Sequence, residues 1–114
     1  MTTLSTLSTH VLDTMHGCPA AGLAVTLHGP RGALAAGRTN ADGRCPGLFP
    51  DGLAAGAYRL DFAVAAYFRA RGVTLAEPPF LDIVTIAFGL AGTGGHYHVP
   101  LLVSPYSYST YRGS

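Results

Sequence analysis

Hydrophobic residues recur at every second position in several separate stretches of this chain. From Gly22 to Gly29, Leu23, Val25 and Leu27 alternate with smaller or polar side chains, the period of a strand that buries one face. Gly29-Pro30-Arg31-Gly32 turns the chain and residues 33–39 return as a second strand. Asn40-Ala41-Asp42-Gly43 then reads as a turn whose short polar side chains bond their own backbone. After a Gly- and Pro-rich loop from Cys45 to Gly56, Tyr58, Leu60, Phe62 and Val64 alternate again, with Arg59 and Asp61 facing the other way. Ala65 to Arg71 loses the alternation, carries good helix formers and stops at Gly72, which predicts one short helix. Leu81 to Phe88, His96 to Ser104 and Tyr106 to Arg112 are rich in strand formers, the last two divided by Pro105. With residues 7–14 as an opening strand, the pattern predicts a mainly β, two-sheet sandwich of about seven short strands and one helix.

Composition narrows what such a sandwich can do. The chain has 114 residues, so one domain spanning 1–114 is expected. Seven Arg and Lys against six Asp and Glu leave a formal charge of +1, and every cation is Arg, so neither a nucleic-acid footprint nor a polybasic membrane patch is present. Only 11% of residues are charged while 48% are hydrophobic, and a small domain of that kind usually hides surface in an oligomer. No formal charge falls between Ile83 and Tyr111; Gly94-Gly95, His96, His98, Pro100 and Pro105 interrupt the stretch, which therefore suits burial against another subunit better than a membrane span. Cys18 and Cys45 each stand beside Pro in turn-like settings and read as free thiols of a reducing compartment. The amino-terminal MTTLSTLSTHVLDT has neither a basic start nor a long apolar run, so no targeting segment is expected and the cytoplasm is the default.

Few residues are left to carry chemistry. His96 and His98 are two apart on a predicted strand and project from one face. They could be metal ligands, but zinc takes three or four, and no Cys or carboxylate nearby in sequence completes a set. In the plainer alternative, Tyr97, Val99, Leu101 and Val103 form the core face and the histidines line an exposed one. His10 interrupts the opening strand, and Asp13 with Thr14 could cap the turn that follows. His16 and His28 lie in or beside turns and read as solvated side chains. Arg44 is the only formal cation between Arg38 and Arg59, and a fixed guanidinium suits a planar, oxygen-rich ligand. At the carboxy terminus Tyr111, Arg112, Gly113 and Ser114 offer donors and acceptors to a polar ligand, or else simply continue an edge strand.

Three segments, in order along the chain, resemble the signatures of one family. Leu7-Ser8-Thr9-His10-Val11-Leu12-Asp13-Thr14, continuing to Gly17-Cys18-Pro19-Ala20, is similar to the amino-terminal motif of the 5-hydroxyisourate hydrolases, the transthyretin-related enzymes of urate degradation. Thr39-Asn40-Ala41-Asp42-Gly43-Arg44 resembles their second motif. His96-Tyr97-His98-Val99-Pro100-Leu101-Leu102-Val103-Ser104-Pro105 through the terminal Tyr111-Arg112-Gly113-Ser114 resembles the third. The resemblance implies a transthyretin-like sandwich of about seven or eight strands, assembled as a homotetramer, a dimer of dimers, with sites where the dimers meet. It implies hydrolytic opening of 5-hydroxyisourate to 2-oxo-4-hydroxy-4-carboxy-5-ureidoimidazoline without a cofactor or metal. It carries catalytic roles to His10, Arg44, His98 and Ser114 and substrate binding to Tyr111, Arg112 and Gly113; His96 matches the motif but is the weaker candidate for the chemistry. The transthyretins that act as hormone carriers lack the terminal tetrapeptide and this histidine pattern, both present here. Two competing expectations stand beside the hydrolase: a carrier of a planar ligand in the tetramer channel, and a zinc site made by His10 and His98 with ligands from a partner chain.

Overall fold

A computed structural model describes residues 3–113 of the chain. Ten strands and one helix are formed among them: β1 Thr3–Ser8, β2 Val11–Asp13, β3 Cys18–Pro19, β4 Ala24–Gly29, β5 Gly32–Arg38, β6 Gly56–Ala63, α1 Val64–Ala70, β7 Ile83–Leu90, β8 Thr93–His98, β9 Leu101–Val103 and β10 Tyr108–Ser109. One layer is a regular antiparallel sheet in the order β5-β4-β6-β7. The other combines a parallel pair, β1-β8, with a four-stranded sheet in the order β10-β9-β2-β3. The alternation read from sequence points into the space between them. Leu23, Val25, Leu27, Leu60, Phe62 and Val84 of the first layer meet Leu7, Val11, Leu101 and Val103 of the second, all buried. Each such side chain contributes about 1.5–3 kcal/mol relative to leaving it in water.

The expected strands exist, but several boundaries move for identifiable reasons. The opening strand starts earlier and breaks at Thr9 and His10, and the strand expected over 96–104 starts at Thr93 and breaks at Val99 and Pro100. Proline has no N–H to give to a ladder. Both breaks fall at the same level, and bonds from Val99 N to Ser8 O (2.9 Å) and from Leu101 N to His10 O (3.0 Å) bridge them. Residues 3–13 and 93–103 therefore run parallel to each other in one register throughout, with a break in the strand pairing in the middle. The strand expected over 106–112 shrinks to Tyr108–Ser109 plus a single bridge at Gly113.

The helix forms one residue earlier than expected and ends as the sequence suggests. Gly72, with φ +84°, donates to Arg69 O while Val73 donates to Phe68 O, the paired closing bonds that a left-handed glycine permits. Seven residues cannot hold a helix alone in water; buried Val64, Ala65, Tyr67 and Phe68 hold this one. Tyr67 also fixes it from below, its hydroxyl donating to Asp13 Oδ2 at 2.8 Å. Asp13 has a fully buried side chain, and its carboxylate also receives the amide and the imidazole Nδ1 of His16 at 2.9 and 2.6 Å. Burial alone would raise the Asp13 pKa; the bonds from His16 and Tyr67 outweigh it and hold the carboxyl below its ordinary value. Burial and the neighbouring Asp13 push the Tyr67 hydroxyl up to about 12. His16 is exposed, as expected, and is also a bonded partner of Asp13.

Candidate active site

The parallel pair gathers several of the sequence-predicted residues on one face. Along the first strand pair Ser5, Leu7, Thr9, Val11 and Asp13 are buried, so Thr6, Ser8 and His10 take the opposite, outer face. Register places Thr6 beside His96 and Ser8 beside His98 on the neighbouring strand. On one side His10 is bridged to Arg44, and on the other His98 is bridged to Gly113. Four chain segments, distant in sequence, thereby line up as Arg44, His10, His98 and Gly113.

Local sequence explains each placement. Arg44 follows a turn in which Asn40 Oδ1 accepts the amides of Asp42 (2.9 Å) and Arg44 (3.0 Å), while Asn40 N donates to Arg44 O at 2.8 Å. Gly43 has φ +75°, and a Cβ there would strike the carbonyl oxygen of Val11, so glycine is what lets the turn close onto the strand that carries His10. Gly113 exchanges both backbone bonds with His98, 3.1 and 2.8 Å long. A Cβ on Gly113 would lie 3.0 Å from His98 Cδ2 and 3.1 Å from its Cβ, so the imidazole packs on the bare glycine.

Arg44 makes no salt bridge with any described residue. Burial, and then the charges of Arg44, His10 and His96, lower the pKa of His98 below its ordinary value. A cavity of about 470 Å³ lies beside these groups, lined by Thr6, Ser8, Asn40, Asp42, Arg44 and Asp51 among others; His10 and His98 stand outside its lining. Tyr111 and Arg112 face a separate cleft of about 290 Å³, between Ile86–Gly89 and Tyr97. There the Arg112 guanidinium lies 4.1 Å above the Tyr97 ring. Within one chain Gly113 therefore joins His98, Tyr111 and Arg112 line this separate cleft, and Ser114 lies outside the described residues. No group of three or more His, Cys, Asp and Glu is arranged to hold a metal ion among the described residues, so a zinc site at His10 and His98 would need ligands from beyond the described residues. His28, expected to be solvated, instead lies 3.2 Å from Asp61 on the outer face of the other sheet.

Ser8 and Thr6 escaped the sequence reading of the site. Their signal was present: both share the two-residue period of His10, and hydroxyls on the face of a strand that carries a histidine are its nearest available partners.

The model of the HIUase/Transthyretin family matches residues 7–113. The chain belongs to that family. It is similar to the 5-hydroxyisourate hydrolase of Ralstonia nicotianae, 58% identical over 114 residues that cover 95% of this chain and 97% of that protein. Among solved structures it is similar to Klebsiella pneumoniae 5-hydroxyisourate hydrolase, with TM-score 0.83 and 39% identity over 96% of this chain and all of that one. Sea bream transthyretin in complex with thyroxine aligns with TM-score 0.79 and 32% identity, covering 94% of this chain and 93% of that one. The HIUase/Transthyretin fold thus accommodates both a hydrolase and a hormone-bound protein, and side chains rather than the sandwich must tell them apart.

Proposed function

We propose that this family member hydrolyses 5-hydroxyisourate, opening the ring at its lactam carbonyl. The observation that carries this reading is the alignment of Arg44, His10, His98 and Gly113 on one face, in a chain 58% identical to a protein named 5-hydroxyisourate hydrolase. His98 is the base. Burial and adjacent positive charge favour its neutral imidazole, the form that can accept a proton. A water O–H bond breaks as the proton passes to His98 and the oxygen bonds to the carbonyl carbon. The C–N bond then breaks and the ring nitrogen takes the proton back. His10 orients the water, and Arg44 holds substrate oxygens and stabilises the charge that develops on the attacked carbonyl, a contribution that grows as water leaves the site. Gly113 and Ser114 close the site and position the ring, while Tyr111 and Arg112, which line a separate cleft within one chain, reach substrate across a subunit contact. Following the absorbance of freshly generated 5-hydroxyisourate tests the reading directly: its decay should accelerate with the protein and lose that acceleration in His98→Asn.

The enzyme works as a homotetramer, a dimer of dimers, in the cytoplasm, where Cys18 and Cys45 remain free thiols. Edge strand β7 has a neighbour on one side only; its Ile83 is 52% exposed, and Tyr111, 59% exposed, lines an apolar cleft with Ile86–Gly89 of the same strand. An unpaired apolar edge is a template for another chain. Light scattering should give four times the 11.8 kDa chain mass. Among the described residues no helix is long and apolar enough to cross a membrane.

A further inference from the structure

Three short hydrogen bonds in the candidate site belong to no step of the hydrolysis described so far. Thr6 Oγ1 lies 2.6 Å from His96 Nδ1, Ser8 Oγ lies 2.8 Å from His96 Nε2, and the same Ser8 Oγ lies 2.7 Å from His98 Nδ1. The four groups form one chain, Thr6 to His96 to Ser8 to His98, made possible by the parallel register that sets Thr6 against His96 and Ser8 against His98.

Counting protons along this chain leaves two self-consistent arrangements while both imidazoles are neutral. Ser8 has a single hydroxyl proton and stands between two ring nitrogens, so it donates to one and accepts from the other. If Ser8 donates to His98, the proton of His98 sits on Nε2 and that nitrogen can only donate. If Ser8 accepts from His98, Nδ1 carries the proton, Ser8 donates to His96 Nε2, and His96 Nδ1–H donates to Thr6. His98 Nε2 then keeps its lone pair. In this second arrangement every bond points away from His98, and the aligned dipoles favour the imidazolium that forms when Nε2 takes a proton.

We propose that Ser8, His96 and Thr6 are positioning residues that lock His98 in the Nδ1–H tautomer and so leave Nε2 bare as the base. The proposal rests on the hydrolase reading for its purpose, while the tautomer itself can be observed without substrate. It also gives His96 a role: the ring spans the two hydroxyls of one strand and transmits the polarity of the chain. The groups that face His98 and bear on its titration are Arg44 from the turn, His10 from the neighbouring strand and His96 from its own strand. Arg112 contacts the backbone of His96, its Nη2 lying 3.5 Å from the oxygen. The carboxylates of Asp42 and Asp51 line the cavity shared with Thr6 and Ser8.

The experiment is a two-bond proton–nitrogen correlation spectrum of the ¹⁵N-labelled full chain near neutral pH, with the His98 signals assigned by their loss in His98→Asn. The wild type should show His98 protonated at Nδ1 and bare at Nε2. Ser8→Ala should lose this single-tautomer signature and lower kcat roughly ten- to hundredfold with KM nearly unchanged. Its acid limb should also move to lower pH, because the imidazolium has lost an acceptor. Ser8→Thr, which keeps the hydroxyl, should recover most of the rate and the tautomer. A wild-type His98 protonated at Nε2 would overturn the proposal, as would a Ser8→Ala variant that keeps the wild-type tautomer, kcat and pH profile. If the wild type failed to open 5-hydroxyisourate, the hydrolase reading would fall, while the spectrum would still decide the tautomer.

Discussion

Each sheet carries histidine on its outer face, and the two faces treat it in opposite ways. On the regular sheet His28 lies 3.2 Å from Asp61, whose other oxygen accepts the Thr85 hydroxyl at 2.7 Å and whose flank meets Arg59 at 3.4 Å. Those charges are mutually satisfied, and partly exposed pairs of this sort contribute little. On the parallel-paired sheet His98 has hydroxyl and histidine neighbours, and the fixed charge that bears on it is a cation, Arg44. Burial beside a cation favours the neutral ring of His98. The difference teaches that the surroundings of an imidazole, more than its presence on a strand, mark it as a base.

The largest expected effect breaks the comparison at its centre. His98→Asn should lower kcat about a hundredfold or more, the usual contribution of a positioned base, with assembly and Tm unchanged. His28→Asn should stay within about twofold, since its surroundings belong to surface pairing. Substrate absorbance and light scattering check both variants, and equal losses would put the site on the wrong sheet.

Gly113→Ala offers a finer cut, because the added Cβ would press on the His98 ring from 3.0 Å. The ring must shift by a few tenths of an ångström, so kcat should fall roughly tenfold while denaturant stability changes little. Removing Tyr111 through Ser114 should cost more activity than Gly113→Ala, with folding kept by the upstream contacts of Leu101 and Val103. Truncated protein at the full rate would reduce the terminal segment to an edge strand.

A contrasting pair of effects concerns stability and pH. Asp13→Ala should destabilise by about 3 kcal/mol, because it strands the Tyr67 hydroxyl and the His16 donors around a buried site; urea unfolding measures it, and turnover of the folded fraction should be nearly intact. The pH dependence is the smallest effect near neutrality. His98 has a pKa below its ordinary 6.5, so its contribution to stability is present above that value and is lost as pH falls through the lower folded one. Activity should follow the same direction, holding down to and somewhat below pH 6.5. Asp13, also lowered, gives up its contribution only as pH falls below 3.8. A rate that drops already between pH 8 and 7 would contradict a depressed His98.

Much of this was legible along the chain because it depends on local pattern. Two-residue periods marked the core strands of the regular sheet, loss of that period with Gly72 marked the helix, and Asn40 through Gly43 marked the turn that sets Arg44. These features depend on neighbours within a few residues. Boundaries in the parallel-paired sheet were not legible, because Pro100 and the break at His10 matter only once the two segments lie side by side. The pairing of His28 with Asp61, across 33 residues, depends equally on register between strands.

The sequence by itself determined a sandwich with alternating core faces, a short helix closed by glycine, and a set of polar residues concentrated in three motifs. Only the tertiary structure decided how those polar residues combine. It set Arg44 against His10 and Gly113 against His98, and threaded Ser8 between two imidazoles. It turned Tyr111 and Arg112 toward a different cleft. The physical reason is that a strand's own period fixes which face a side chain takes, while its partners on that face are chosen by register with strands distant in sequence, and a shift of one residue would exchange every one of them.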